Sequence, residues 1–201
     1  MPTEPHQAPQ GSVLDSARPL LKISEPNISP EATSLVSEVL LSGSLVQGER
    51  ALAFEQALGE FLQGPLDEPP FVALVSSGTA ALHLALLALE LPAGSGVLVP
   101  NFTVPATINA VLFAGLTPVI AEVSFERYVL TEAYMIEAIE GSQARGVEVR
   151  ALLPVHEFGQ PVCADALVRV AARYELKVIE DAACALGASV TSQGRALKGF
   201  I

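Results

Sequence analysis

Val178-Ile179-Glu180-Asp181-Ala182-Ala183-Cys184-Ala185-Leu186-Gly187-Ala188 is the stretch from which the fold can be read. An apolar run rises from Leu176, stops in two carboxylates and gives way at once to small residues. A buried strand that delivers an acid at its carboxyl end stands where open α/β sheets collect their ligands. Glu180 and Asp181 are neighbours, so in an extended chain they point to opposite faces. One of them faces a pocket and the other lies behind it. Taken alone, the stretch reads first as a strand followed by a helix or turn that Asp181 caps, and the strands upstream decide whether it is more than that.

Upstream, short apolar runs alternate with longer helical ones. Phe71–Val75, Gly96–Val99, Pro118–Val123, Val149–Val155 and Leu176–Ile179 read as strands. Between them Ala80–Leu91, Ala106–Phe113, Thr131–Glu140 and Ala164–Tyr174 read as helices. This rhythm specifies βαβ units and a mostly parallel sheet. The strand runs are continuously apolar, as a sheet covered on both faces requires. Two further helices precede the pattern. One starts at Ser29-Pro30-Glu31 and carries Leu35, Val36, Val39, Leu40 and Leu41. The other follows Gly48 and sets Leu52, Phe54, Leu58 and Phe61 on one side. Residues 1–22, rich in Pro, Gln and Ser at their start, read as a flexible tail, and 23–201 as one large domain.

Half of the 201 residues are hydrophobic, enough for a sizeable core, and the formal net charge is −11. A chain with 22 acids against 11 bases cannot track a phosphate backbone or an anionic membrane through excess Lys and Arg. Any phosphate must be held by local devices such as backbone amides. Cys163 and Cys184 make neither a disulfide framework nor a zinc set, fit a reducing compartment, and read as small buried residues. The amino terminus lacks the basic and apolar regions of a secretory signal, and no apolar run spans a bilayer, so the cytoplasm is the expected location.

Four polar clusters sit at strand ends. Ser76-Ser77-Gly78-Thr79 lies between a strand and a helix start, where unpaired N–H groups make an anion site or simply a capped helix. It has neither the Walker spacing nor the dinucleotide fingerprint. Asn101-Phe102-Thr103-Val104-Pro105 repeats the placement after the next strand. His156 ends a third strand, as an acid/base group or, more commonly, a structural hydrogen bonder. Asp181 ends the fourth. In a parallel sheet these ends share one edge. A phosphate cradle, a His, a Thr/Asn loop and an ionised acid there describe a phosphorylated cofactor with a basic ring nitrogen, the pattern expected for pyridoxal phosphate.

These motifs resemble one family. Ser42-Gly43-Ser44-Leu45-Val46-Gln47-Gly48, Phe54-Glu55, Ser77-Gly78-Thr79-Ala80-Ala81-Leu82-His83, Pro118-Val119, Pro154-Val155-His156 and Ile179-Glu180-Asp181-Ala182-Ala183 are similar to the DegT/StrS aminotransferases, in family order from about Ile23 to Gly199. The resemblance implies the large domain of a type I pyridoxal-phosphate-dependent transferase, incomplete at its carboxyl end, acting on a nucleotide-linked keto sugar with an amino-acid donor, as a homodimer. It implies that Gly78 and Thr79 hold the cofactor phosphate and that Asp181 pairs with the pyridine nitrogen. Cys184 stands where many members carry Gln or His near the ring oxygen. Val104 takes a position usually aromatic, able to cover the ring face but not to stack on it. The Schiff-base Lys of the family lies beyond Ile201. Lys198, only 17 residues past Asp181 in a surface turn, is not assigned that role. A non-catalytic homologue serving as dimerisation partner or regulator is the alternative.

Overall fold

The computed structural model describes residues 25–63, 68–192 and 195–198. They fall into two compact units, Met1–Val46 and Gln47–Ile201. The first contains α1 (Pro30–Ser42). Ser29 caps it by accepting the Ala32 N–H, Pro30 supplies a first-turn residue that needs no donor, and Gly43 closes it at φ 70 with its N–H on the Leu40 carbonyl. Glu31 is held below the ordinary carboxylate value by backbone and Ser29 hydrogen bonds at the helix start. Leu35, Val36, Leu40 and Leu41 find no burial within their own unit.

The second unit opens with α2 (Glu49–Leu62) and continues with α3 (Gly78–Ala88), β1 (Gly96–Pro100), α4 (Pro105–Phe113), β2 (Thr117–Ala121), α5 (Glu132–Ala144), β3 (Val149–Leu152), α6 (Ala164–Tyr174) and β4 (Lys177–Val178). An antiparallel hairpin, β5 (Ser189–Ser192) with β6 (Arg195–Lys198), follows. The main sheet is wholly parallel, in the order β2-β1-β3-β4. β2 therefore lies on one side of β1, and β3 and β4 on the other. The chain reverses its direction of travel across the sheet between β1 and β3, the point where such sheets open a crevice at their carboxyl ends.

β1 explains the layering. Val97, Leu98 and Val99 are all 0% exposed. Alternate residues face opposite sides, so Val97 and Val99 join Leu82, Leu86, Val111 and Leu153 beneath α3 and α4. Leu98 joins Met135, Ile139, Leu152 and Val170 beneath α5 and α6. Gly96 is required at the strand entry, because a Cβ there would lie 3.1 Å from the Glu148 carbonyl and from the Val149 Cα. On the outer surface Arg169 clamps α6 to α5 through three hydrogen bonds to Glu132, which hold that carboxyl below its ordinary value.

Several sequence expectations change. Phe71–Val75 forms no strand and joins no ladder among the described residues, and Phe71 is 94% exposed. Its recorded hydrogen bond runs from the Leu74 N–H to a Glu55 carboxylate oxygen, 2.8 Å. The last strand shrinks to two residues and leaves Val178 exposed, because among the described residues β4 has a strand neighbour only on its β3 side. On α2 the buried residues are Gly59 and Leu62, while Leu52, Phe54 and Phe61 remain exposed. Cys163 and Cys184 are exposed free thiols, since both fall in the loops that leave the sheet and not in its layers. Lys198 lies on β6, paired with Ser189, and not in a turn. The expected tail, residues 1–22, lies outside the described residues.

Leu98→Ala removes the one large β1 side chain facing α5 and α6. It is expected to lower the unfolding free energy by about 2–5 kcal/mol, read from urea denaturation monitored by circular dichroism.

Candidate functional site

All four parallel strands end at one edge, and each polar cluster read from the sequence can be placed against it. The Ser76–Thr79 cluster starts α3, which packs over β1 and β3 and returns to the amino end of β1, so its own start lies at the carboxyl edge. Ser77 caps the helix by accepting the Ala80 N–H at 3.2 Å, and its carbonyl accepts the Ala81 N–H. The Gly78 and Thr79 N–H groups have no recorded partner among the described residues. A Cβ built on Gly78 would meet nothing within 4 Å. An open helix start with two unspent donors suits a phosphate.

After β1, Asn101 extends the ladder through its N–H to the Ala121 carbonyl. Thr103 and Thr107 share a 2.8 Å hydroxyl hydrogen bond that ties the loop to the first turn of α4, where Thr107 is buried. Val104 takes the N-cap position of α4, followed by Pro105, and is 57% exposed. Phe102 does not serve in its place. Its ring packs 5.4 Å from Tyr128 and 6.0 Å from Phe158, in a cluster drawn from three successive strand-end loops. Tyr128 and Phe158 hold positive φ angles of 58° and 52°, which bulky residues adopt only where surrounding contacts impose it.

Asp181 is the most firmly placed member. Its N–H donates to the Pro154 carbonyl at 2.9 Å, and its own carbonyl accepts the His156 N–H at 3.0 Å. The parallel bridge between Val155 and Asp181 thus extends the β3–β4 pairing past the last regular strand residues. One carboxylate oxygen accepts the Ala183 N–H at 3.2 Å in a local turn, and no helix follows in 182–188. The capping role expected from sequence is real, but it caps a turn.

His156 is 4% exposed and is structural. The Val162 N–H donates to Nδ1 at 3.1 Å, which leaves the ring hydrogen on Nε2, where it meets the Glu180 carboxylate at 3.1 Å. Glu180 is therefore the acid behind the strand end, turned away from Asp181 as alternation requires. The loop after His156 folds over the acid turn, and a Cβ on Gly159 would lie 3.3 Å from the Cys184 carbonyl. Glu157, not singled out by the sequence pattern, is pushed above its ordinary value of 4.5 by burial first and by the Asp181 charge second. Direct contacts thus join His156, Glu180, Asp181 and the Gly159–Cys184 loops, whereas Gly78, Thr79 and Val104 share only their edge with Asp181. Among the described residues no group of three or more His, Cys, Asp or Glu side chains is placed to hold a metal ion. Nor, among them, is any helix long and apolar enough to cross a membrane.

A mostly parallel sheet flanked by helices, with these strand-end groups, defines the fold of the pyridoxal-phosphate-dependent aminotransferases. The chain belongs to the DegT/DnrJ/EryC1/StrS aminotransferase family, whose family model matches residues 26–197. It is similar to a DegT/DnrJ/EryC1/StrS aminotransferase from Brucella abortus, with 31% identity, a TM-score of 0.70 and coverage of 77% of this chain and 40% of that one. It is similar to NtdA from Bacillus subtilis with bound cofactor PMP, at 33% identity and TM-score 0.65, over 75% of this chain and 32% of that one. It is also similar to Helicobacter pylori PseC, an aminotransferase involved in the biosynthesis of pseudoaminic acid, at 27% identity and TM-score 0.72, over 86% and 43%. The chain spans less than half the length of each of these proteins.

Two outcomes test the site's framework. His156→Ala leaves the buried Val162 N–H without its acceptor and is expected to cost about 1–3 kcal/mol in urea unfolding, with His156→Asn recovering part through its side-chain oxygen. Because folding raises the proton affinity of Glu157, the wild-type fold is favoured at low pH and loses that advantage as pH rises from 4.5 through the raised value. Glu157→Gln is therefore expected to raise the thermal midpoint at pH 7, with the gain vanishing below 4.5.

Proposed function

We propose that this chain is the cofactor-binding large-domain portion of an aminotransferase that uses pyridoxal 5'-phosphate to move an amino group from an amino-acid donor onto a nucleotide-linked keto sugar. The observation that carries the reading is the placing of Asp181. It is held by two backbone hydrogen bonds at a strand end, on the same sheet edge as the open start of α3.

The residues present fit that cofactor. The Gly78 and Thr79 N–H groups, with the Thr79 hydroxyl, would bind the phosphate at the positive end of the α3 dipole. An Asp181 carboxylate would pair with the ring nitrogen, and Val104 would cover the ring without stacking. Cys184 would offer the ring oxygen a thiol, a weaker donor than an amide or imidazole. His156 and Glu180 take no part in proton transfer and hold the strand end still. Pyridoxal phosphate supplies an electron-withdrawing ring that takes up the charge released when a proton leaves the amino-bearing carbon. The lysine nucleophile is assigned beyond Ile201, and the complete protein is read as a cytoplasmic homodimer. A second reading, a homologue that acts as dimerisation partner or regulator without catalysing the reaction, draws support from Val104, which gives up the stacking surface.

Absorbance titration of the chain with pyridoxal 5'-phosphate separates the readings. Saturable binding is expected, weakened about tenfold in Asp181→Asn, the size of one lost charge-assisted hydrogen bond. Borohydride reduction is expected to leave no cofactor on Lys198. Absence of saturable binding, or wild-type affinity in Asp181→Asn, would sink the cofactor reading, and cofactor fixed on Lys198 would reassign that residue.

A further inference from the structure

The lead-in to the phosphate cradle, 71–75, forms no strand and pairs with none among the described residues, yet the cradle that follows must be held at a fixed height over the sheet edge. The structure assigns this task to α2. We infer that Glu55 is a positioning residue for the cofactor phosphate, acting with Gly59 through the backbone of 69–74. The inference rests on the cofactor reading above.

Two independent contacts support it. The Glu55 carboxylate, half-buried, reaches across 19 residues to accept the Leu74 N–H at 2.8 Å. One turn further along the same helix face, Gly59 is buried, and a Cβ there would lie 3.0 Å from the Pro70 carbonyl, 3.6 Å from Pro69 Cβ and 3.7 Å from Val72 Cγ2. The helix thus grips the lead-in at a close backbone approach and again at a charged acceptor. Four residues after Leu74 come Gly78 and its unspent N–H. A carboxylate is the fitting acceptor here, since hydrogen bonds to a charged group are stronger than neutral ones and the segment has no ladder to share the load. The same helix also reaches the segment that follows Asp181. A Cβ on Gly187, in the Leu186–Gly187 turn, would lie 3.3 Å from the Phe61 ring. α2 therefore stands against both the cradle's lead-in and the segment that leaves the acid turn.

The test compares pyridoxal 5'-phosphate with pyridoxal, which lacks the phosphate, in binding titrations of the full chain. Glu55→Ala is expected to weaken the phosphorylated ligand about tenfold while leaving pyridoxal unchanged. Glu55→Gln, whose side-chain oxygen still accepts the Leu74 N–H, is expected to restore binding. Hydrogen exchange at the Leu74 amide follows the same order, slow in wild type and Glu55→Gln and fast in Glu55→Ala. Gly59→Ala, which displaces the lead-in from the other contact, is expected to reproduce the phosphate-selective loss should Glu55→Ala fail to fold. Equal losses for both ligands, or undiminished phosphate binding with a fast-exchanging Leu74 amide, would overturn the assignment of Glu55 alone. A wild-type chain that binds neither ligand would overturn the cofactor reading and this inference together, leaving Leu74 protection to report only a structural clamp.

Discussion

Burial of β1 on both faces is the constraint from which the architecture follows. A strand whose Val97, Leu98 and Val99 are all sealed from water needs helices above and below it, and only parallel neighbours joined by helical crossovers supply both. Parallel pairing then sends every strand's carboxyl end to one edge. Strand order β2-β1-β3-β4 places the reversal between β1 and β3, so the loops after these strands diverge and leave room between them. The Thr103–Val104 loop, the His156 loop and the Asp181 turn are all products of that arrangement.

The edge is stiffened by hydrogen bonds that do no chemistry. Asp181 is fixed to Pro154 and His156 through its backbone, which leaves its carboxylate aimed by the strand and by one contact to Ala183. His156 spends both ring nitrogens on Val162 and Glu180, linking the loop after β3 to the end of β4. With adjacent acids turned to opposite faces, Glu180 braces the frame through His156 while the Asp181 carboxylate stays on the other face. Glu157 introduces a counter-current. Its partly buried charge beside Asp181 works against the fold, a cost of a kind that active-site edges commonly carry.

The aromatic cluster of Phe102, Tyr128 and Phe158 shows how a local substitution changes meaning in context. Read along the chain, Phe102 is an aromatic neighbour of Val104, placed on the other side of an extended loop. In the fold its ring packs against Tyr128 and Phe158, while Val104, at the start of α4, stays exposed.

Periodicity and composition alone determined the alternation of strands and helices from Gly96 to Tyr174. α6 matched to the residue, because apolar spacing and helix-start chemistry are local properties. The acid at the end of the last strand and the helix-start cluster at Gly78 were legible for the same reason, and the family's motifs added the roles implied for them. Neighbours across the sheet were not legible. Phe71–Val75 has the composition of a strand, yet lacks a pairing partner among the described residues. The apolar run at Leu176–Ile179 became a two-residue edge strand, since burial depends on what lies on both sides. Cys163 and Cys184, small and apolar enough for a core, were carried into loops instead. The pairing of Glu55 with Leu74 and of His156 with Val162 and Glu180 could come only from tertiary structure, because a hydrogen bond between distant residues leaves no period in the chain. Sequence spacing determined which groups the chain could bring to the edge, and three-dimensional pairing decided which of them are locked into the frame and which stay open at that edge.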